Sequence, residues 1–408
     1  METLIVHYDR FEKKILQNVE RNGIKHRPKT NTGLWLGILV GLSAAVTILK
    51  EENSYSEICL FVGTTGFSLV LCSFCLYARL SMQRVAAKDF HVIYFLPAIV
   101  TSILYLFAAN RGLLTSVTWG LTVGSLGTWG VLQLMSAFPY CFTMGEATAI
   151  MHSFILFSMS AVTNLPLRYH LPPIHDNDIS TALLQIALVV YWAVCVVLSI
   201  FIITYQISSK SRATSSTRKI FHILAMFVYI PGMICDISML YLASGVIFAL
   251  LMGIELIRLL KVPPLGKVLQ DGFVVFADEK DFMLSLTPLY LMSGLSFPLW
   301  MPTSNLTFLA LMSGVLTVGV GDTAASFVGG KWGSHKWVDT DKTIEGTVAC
   351  VFSQVCVILA LTCCGFIDGY WLLLRSVLAA VAISLIEART NQVDNLALPL
   401  LMYVCLMM

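Results

Sequence analysis

The stretch GDTAASFVGGKWGSHKWVDTDKTIEGT, residues 321–347, lies between two long apolar runs and concentrates glycine, lysine and acidic residues. Glycine lets backbone N–H groups turn towards a ligand without a Cβ clash, and nearby lysines add positive charge. The residues that combine in this way are Gly329, Gly330, Lys331, Gly333, Ser334, Lys336 and Lys342. This pattern predicts a loop that binds a polyphosphate, although its spacing is not that of a Walker A loop.

The composition is that of a membrane protein. Of the 408 residues, 57% are hydrophobic and 12% are charged, and the mean hydropathy is +0.79, which is more apolar than a soluble chain of this length. About thirteen apolar runs have roughly the length needed to cross the hydrocarbon core of a bilayer. They lie near 32–49, 57–78, 91–109, 114–136, 143–165, 181–206, 220–237, 239–259, 283–300, 305–328, 345–365, 369–388 and 396–408. We therefore predict an all-α polytopic membrane protein.

The basic residues predict the orientation of these helices. If the N-terminus is cytosolic, the loops at 79–90, 207–219, 260–282, 329–344 and 389–395 are cytosolic too. All 26 lysines and arginines except Lys50, Arg111, Arg168 and Arg375 then lie on the cytosolic side, as the positive-inside rule requires. The prediction is a cytosolic basic segment at 1–31, a transmembrane region of unknown role at 32–140 and a transmembrane catalytic region at 141–408.

Acidic and polar residues gather at the predicted cytosolic ends of the spans. Such residues are costly inside a membrane and usually face protein or a water-filled cavity, where they mark function. The candidates for one shared cavity are Glu146, His222, Glu255, Asp278, Asp281, Asp322, Glu387, Gln392, Asp394 and Asn395. Three alternatives stay open. Glu255 can pair with Arg258 on its own helix, His222 can cap a helix start or meet lipid headgroups, and the acidic residues at 278–281 can form a solvated face.

Transfer of a phosphoryl group to an alcohol needs a cation such as Mg²⁺ on carboxylates, lysines on the phosphates, and a base. Asp322 is the candidate metal ligand and shares a helix face with Ser326. A helix that begins near Ile344 would direct its positive end at the same anion. The further candidates for phosphate binding are Lys331, Lys336, Lys342, Thr343, Glu345, Gly346 and Thr347, and those for the base are Asp394, Asp278 and Asp281.

Several motifs occur together in residues 140–400. They are GEATAI at 145–150, RKIFHI at 218–223, FADEKD at 276–281, GLSFPLW at 294–300, GDTAAS at 321–326, GGKWGSHKW at 329–337, DKTIEGT at 341–347 and EARTNQVDNLALPL at 387–400. In this order the motifs resemble the dolichol kinase family, and segment 321–347 resembles its CTP-binding signature. The resemblance implies a multi-pass enzyme of the endoplasmic reticulum membrane with its active site facing the cytosol. It implies CTP as phosphoryl donor, dolichol as acceptor, and dolichyl phosphate for glycan assembly as product.

Other functions fit parts of the pattern. Kinases of phytol or diacylglycerol are related alternatives, but the 387–400 motif favours dolichol. A CTP:lipid-phosphate cytidylyltransferase would also use glycine, lysine and aspartate at a membrane face. A transporter is less favoured, because its acidic residues would lie at the membrane midplane. Nucleic acid is not an expected partner, since the basic residues form separate loop clusters rather than a continuous stripe.

Overall fold

The structure is a computed structural model that describes residues 2–48, 57–82, 89–164, 179–209, 215–277, 281–301, 306–338 and 340–408. Within these ranges the regular structure is helical, apart from an isolated antiparallel bridge between Lys336 and Thr343. The prediction of an all-α protein is therefore confirmed.

The chain divides into two compact units, of which the first comprises Met1–Tyr169, Met301–Asn305 and Met407–Met408. Its helices are α1 (Glu2–Arg21), α2 (Leu34–Ile48), α3 (Glu57–Ser81), α4 (Phe95–Phe107), α5 (Leu113–Ser125), α6 (Val131–Ala137) and α7 (Met144–Asn164). A 3₁₀ turn at Val92–Tyr94 leads into α4, and a π turn at Leu126–Gly130 joins α5 to α6.

A buried ion pair fixes the start of α7 in this first unit. Arg27 Nη1 donates to Glu146 Oε1 at 2.8 Å, and Arg27 Nη2 donates to the Cys141 carbonyl at 2.8 Å. Thr143 and Glu146 form a reciprocal capping box, in which each side chain accepts from the other's backbone N–H. Glu146, predicted as a cavity residue, therefore binds the basic N-terminal segment and the first turn of α7.

The second unit comprises His170–Trp300 and Leu306–Leu406. Its helices are α8 (Ile179–Ser208), α9 (Ser215–Cys235), α10 (Ile237–Leu259), α11 (Leu265–Phe276), α12 (Thr287–Trp300), α13 (Phe308–Leu311), α14 (Thr323–Trp332), α15 (Ile344–Cys363), α16 (Tyr370–Arg389) and α17 (Asp394–Met407). A π-helical segment, Val315–Asp322, precedes α14.

Seven helices of the described residues are long and apolar enough to cross a membrane. They are Ile58–Ser81, Met144–Val162, Ala182–Ser208, Thr217–Cys235, Ile237–Leu259, Ile344–Cys363 and Tyr370–Arg389. Only 11% of the apolar window in α8 is buried, so most of its valine, leucine and isoleucine side chains lie on the surface of the protein. An apolar surface of this extent belongs in hydrocarbon. The chain is thus a multi-pass membrane protein, while the total of about thirteen spans stays a prediction.

Two helices, α1 and α11, lie in segments where the sequence predicts no span. In α1, Ile15 and Val19 are buried one turn apart, whereas Lys13 and Lys14 are exposed. This is the pattern of an amphipathic helix packed on a larger structure, and α1 contacts α3. The charged residues of α1 interrupt its apolar residues, so the helix does not form one of the apolar runs that predict membrane spans.

Candidate functional site

A cavity of about 460 Å³ lies within the second unit. This volume is typical of a pocket for one ligand of drug or nucleotide size. The lining residues come from α9, α12, the end of the π-helical segment, the 341–343 loop, helices α14 to α17 and the turn before α17. They are Arg218, Lys219, His222, Thr287, Asp322, Ala325, Ser326, Gly329, Gly330, Asp341, Lys342, Thr343, Gly346, Thr347, Glu387, Val393, Asp394 and Asn395. Asp322 and Ser326 share this wall, as their spacing predicted.

The π segment brings Asp322 to the cavity wall. π turns are rare and are found frequently at functional sites. A Cβ at Gly319 would lie 2.5 Å from Met226 Cγ, and one at Gly321 would lie 2.6 Å from Gln354 Nε2. At these two glycines the side chains of α9 and α15 therefore pack closely against the segment. Tight packing on both sides therefore fixes the position of the Asp322 carboxylate.

Two side chains of α9 meet this carboxylate. Lys219 Nζ donates to Asp322 Oδ2, and His222 Nδ1 lies 3.4 Å from the same oxygen. Lys219 and His222 are three residues apart, which places them on one face of the helix. Only 8% of the Asp322 side chain and 19% of the Lys219 side chain are exposed. A buried carboxylate of this kind requires a compensating charge, and Lys219 provides it.

Lys342 is the second lysine that lines the cavity. Its Nζ donates to the Glu387 carbonyl at 2.7 Å, to Glu387 Oε1 at 3.0 Å and to Asp394 Oδ2 at 3.1 Å. Burial alone would lower the pKa of Lys342, but the attraction of Asp394 and Glu387 outweighs it and raises this pKa above its ordinary value. Lys342 is therefore a cation throughout the physiological pH range.

Three carboxylates converge between these lysines. Oxygen atoms of Asp322, Glu387 and Asp394 lie within 4.8 Å of one another. Asp394 Oδ1 is buried and accepts no hydrogen bond from the described residues. Carboxylate oxygens are the ligands that Mg²⁺ and Ca²⁺ prefer. The donor set and the free oxygen atom thus fit a divalent cation, with Glu387 and Asp394 beside the predicted ligand Asp322.

The N-terminus of α15 forms another part of the cavity wall. The helix begins at Ile344, as predicted, and Thr343 Oγ1 caps it by accepting from Gly346 N at 3.2 Å. Thr343, Gly346 and Thr347 all line the cavity. The first N–H groups of a helix and its positive dipole end favour anions. This end of α15 is therefore suited to a phosphate in the cavity.

The glycines at 329 and 330 are helical, which corrects the prediction of a glycine-rich loop. Both lie within α14, so their N–H groups serve helical hydrogen bonds. A Cβ at Gly329 would lie 2.7 Å from Thr343 Oγ1, whereas one at Gly330 would meet nothing within 4 Å. Gly333 lies just after the helix, where a Cβ would be 2.3 Å from the Gly329 carbonyl. These glycines permit close packing and leave space beside the cavity, instead of presenting N–H groups to a ligand.

Four of the predicted phosphate-binding residues point elsewhere. Lys331 Nζ lies 5.0 Å from the centre of the Trp332 ring, and Lys336 pairs with Asp341 at 3.0 Å. Ser334 Oγ donates to Glu345 Oε1 at 2.7 Å. Lys331, Lys336, Ser334 and Glu345 are absent from the cavity lining. Because α14 continues to residue 332, it carries Lys331 outward, and the bridged turn that follows holds Lys336 at the surface.

Other predicted residues have structural partners. Arg258 donates to both carboxylate oxygens of Glu255, at 2.9 Å and 2.6 Å, so the alternative of an ion pair on α10 is confirmed. Asp281 accepts from the Thr287 N–H at 3.1 Å and from its hydroxyl at 2.8 Å, and so caps the start of α12. Asp278 lies outside the described residues.

Two predicted residues lie near the start of α17. Asn395 lines the cavity, whereas Gln392 is buried but does not line it. Sequence reasoning missed six lining residues, which are Arg218, Lys219, Thr287, Ala325, Asp341 and Val393. A signal for the first two was present, since a basic pair at the start of an apolar run precedes His222 by one helical turn.

These features define a class: a multi-pass helical membrane protein whose charged cavity suits a polyphosphate with a divalent cation. A family model described as dolichol kinase matches residues 64–282, just over half of the chain. The chain therefore belongs to the dolichol kinase family. The matched range contains Lys219 and His222 and ends before Asp322.

Individual relatives agree with this family. The chain is 37% identical over 244 residues to "Dolichol kinase" of Mus musculus, a match that covers 55% of this chain and 45% of the relative. It is 35% identical over 234 residues to "Dolichol kinase EVAN" of Arabidopsis thaliana, covering 55% and 40%. It is 30% identical over 218 residues to "Dolichol kinase" of Saccharomyces cerevisiae, covering 52% and 40%. The matches thus span under half the length of these relatives. No solved structure gives a significant match.

Proposed function

We propose that this chain is a dolichol kinase, which transfers the γ-phosphate of CTP to the hydroxyl of dolichol. The observation that carries the proposal is the meeting of three carboxylates, two lysines and a helix N-terminus in one cavity. Family membership and the names of the relatives support dolichol as the acceptor. The resemblance of residues 321–347 to a CTP-binding signature supports CTP as the donor.

Asp322 and Glu387 would hold the divalent cation, Mg²⁺ or a similar ion, which leaves Asp394 Oδ1 for the proton of the alcohol. Such a cation, when bound, neutralises negative charge on the polyphosphate. Lys342 keeps Glu387 and Asp394 in place and adds positive charge next to the phosphates. The positive dipole end of α15 favours phosphate oxygens, and the Thr343 hydroxyl, which accepts from Gly346 N, can donate its proton to one of them.

The attacking alcohol must lose its proton as the new bond forms. Among the predicted bases, Asp394 lines the cavity and has a free Oδ1, so it is our candidate proton acceptor. The alcohol oxygen attacks the γ-phosphorus, the bond from that phosphorus to the β–γ bridging oxygen breaks, and CDP leaves with the electron pair. The products are dolichyl phosphate, destined for glycan assembly, and CDP.

The membrane setting suits an acceptor that hardly dissolves in water. Helices of the cavity wall, α9, α15 and α16, include candidate membrane spans, so a lipid alcohol can approach from within the bilayer. We propose that the cavity opens to the cytosol at the endoplasmic reticulum membrane, where CTP is available. The predicted asymmetry of the lysines and arginines supports this orientation.

Isotope transfer tests the proposed reaction. Purified protein is incubated with dolichol, Mg²⁺ and CTP labelled in the γ- or the α-phosphate, with phytol and diacylglycerol as competing acceptors in parallel samples. The expected result is that γ label enters dolichol and CDP is released. Transfer of α label with release of pyrophosphate would instead identify a cytidylyltransferase. Phosphorylation of phytol or diacylglycerol in preference to dolichol would refute the acceptor.

A further inference from the structure

The two lysines of the cavity differ in how many hydrogen-bond donors they have left. An ammonium group has three donors. Lys342 uses three acceptors, two on Glu387 and one on Asp394, at 2.7 to 3.1 Å. Lys219 has one acceptor among the described residues, Asp322 Oδ2. Lys219 therefore retains donors for a ligand in the cavity, and Lys342 does not.

Lys219 is also placed to reach such a ligand. It lines the same cavity as the α15 N-terminus, with Arg218 next to it in the lining. Its four-carbon side chain is flexible and presents a compact charge. Its acceptor among the described residues, Asp322, belongs to the carboxylate cluster that suits a divalent cation. A cation on Asp322 and the ammonium of Lys219 would compete for the same oxygen.

We infer that Lys219 is the lysine that grips the polyphosphate directly, and that cation binding at Asp322 frees it to do so. Lys342 has a different part, since it positions Glu387 and Asp394. The inference rests on the proposed function, because it takes the ligand of the cavity to be a nucleoside triphosphate with its cation. The sequence predicted that Lys331, Lys336 and Lys342 bind the phosphates. The inference instead assigns phosphate binding to Lys219 and the positioning of carboxylates to Lys342.

The inference predicts that one substitution, Lys219→Met, strengthens the binding of Mn²⁺ and weakens the binding of CTP. In Lys219→Met, Asp322 loses its internal competitor, so Mn²⁺ should bind more tightly in the absence of nucleotide. CTP should bind at least about tenfold more weakly in the presence of Mn²⁺, since hydrogen bonds to a charged group are lost. Lys219→Arg, which retains a phosphate-binding cation, should bind CTP within about threefold of wild type. The charge-matched control is Lys267→Met, which replaces an exposed lysine on α11. It should change neither the dissociation constant of Mn²⁺ nor that of CTP.

The measurement uses full-length protein in detergent without any lipid alcohol. Free Mn²⁺ is counted by its paramagnetic resonance signal, and CTP binding is followed by equilibrium dialysis. If Lys219→Met does not fold, Lys219→Gln receives the same measurements. Weaker binding of both Mn²⁺ and CTP would mean that Lys219 only supports the structure, and unchanged CTP binding would exclude phosphate contact. Either result overturns the inference while leaving the proposed reaction intact, whereas a wild type that binds neither Mn²⁺ nor CTP would refute both.

Discussion

Replacement of Asp322 by asparagine separates the chemical role of this residue from its structural role. Asparagine has nearly the same shape as aspartate but lacks the negative charge. The change removes one carboxylate from the cluster with Glu387 and Asp394. It also removes the negative charge that pairs with Lys219, although the asparagine oxygen can still accept a hydrogen bond. Two losses are therefore expected, one in turnover and one in stability.

The structure sets the size of each loss. If Asp322 holds the cation, turnover should fall by at least about 10²-fold, the range seen when a preorganised charge at a reacting centre is removed. The Lys219 ammonium, with 19% of its side chain exposed, would lose its partner in a largely buried position. Such an unpaired group costs about 1–3 kcal/mol of unfolding free energy, at the lower end because some water reaches it.

A double substitution distinguishes the two effects. Asp322→Asn combined with Lys219→Met removes both charges, so no unpaired ammonium remains. Thermal unfolding of the purified proteins should show that the double variant regains most of the stability lost in Asp322→Asn. Phosphorylation of dolichol should stay as low in the double variant as in the single one.

Two results would refute this reasoning. Turnover of Asp322→Asn close to wild type at saturating Mg²⁺ would make the carboxylate structural only. A double variant less stable than both single variants would show that Lys219 and Asp322 are stabilised by contacts other than their ion pair.

Three further predictions concern packing, charge and orientation. Gly329→Ala should lower the unfolding free energy by about 1–3 kcal/mol through overpacking, whereas Gly330→Ala, where a Cβ meets open space, should raise it by up to about 1 kcal/mol because alanine is the better helix former; equal effects would contradict the packing. Because the pKa of Lys342 is raised, it should react with acetic anhydride at pH 9 more slowly than exposed Lys267, as followed by mass spectrometry; faster reaction of Lys342 would contradict its ion pairs. Ser334→Cys in a cysteine-free background should react with an impermeant maleimide added outside sealed microsomes, and protection until detergent is added would overturn the proposed orientation.

Features set by local chemistry could be predicted from the sequence. The start of α15 follows from Thr343 as a cap before an apolar run, and its helix begins at Ile344. The pairing of Glu255 with Arg258 follows from their spacing on one helix. Asp322 and Ser326 share a cavity wall for the same reason. Each of these depends on neighbours within about one helical turn.

Features set by contacts between distant segments could not be predicted. Gly329 and Gly330 suggest a loop because glycine is a poor helix former in water. In the structure they are helical, since α14 packs against α15 and Thr343 leaves no room for a side chain at position 329. Lys219 reaches Asp322 across 103 positions of the chain, a separation that no local pattern reports.

The π-helical segment Val315–Asp322 has a consequence for how this part of the chain tolerates change in length. Each residue of an α-helix turns the chain by about 100° around the helix axis. The π turns contain more residues per turn, so they change the direction in which the side chains of α14 point around that axis. In an uninterrupted α-helix, the apolar residues before the segment and the small and polar residues of α14 would not face the directions that they face here. The π turns correct this difference, so that the first set packs against neighbouring helices and the second set faces the cavity. Inserting one alanine here would hardly alter the hydropathy of the span. By rotating α14 relative to α9 and α15, it would carry Asp322 away from the carboxylates it meets, with the same loss of turnover as Asp322→Asn.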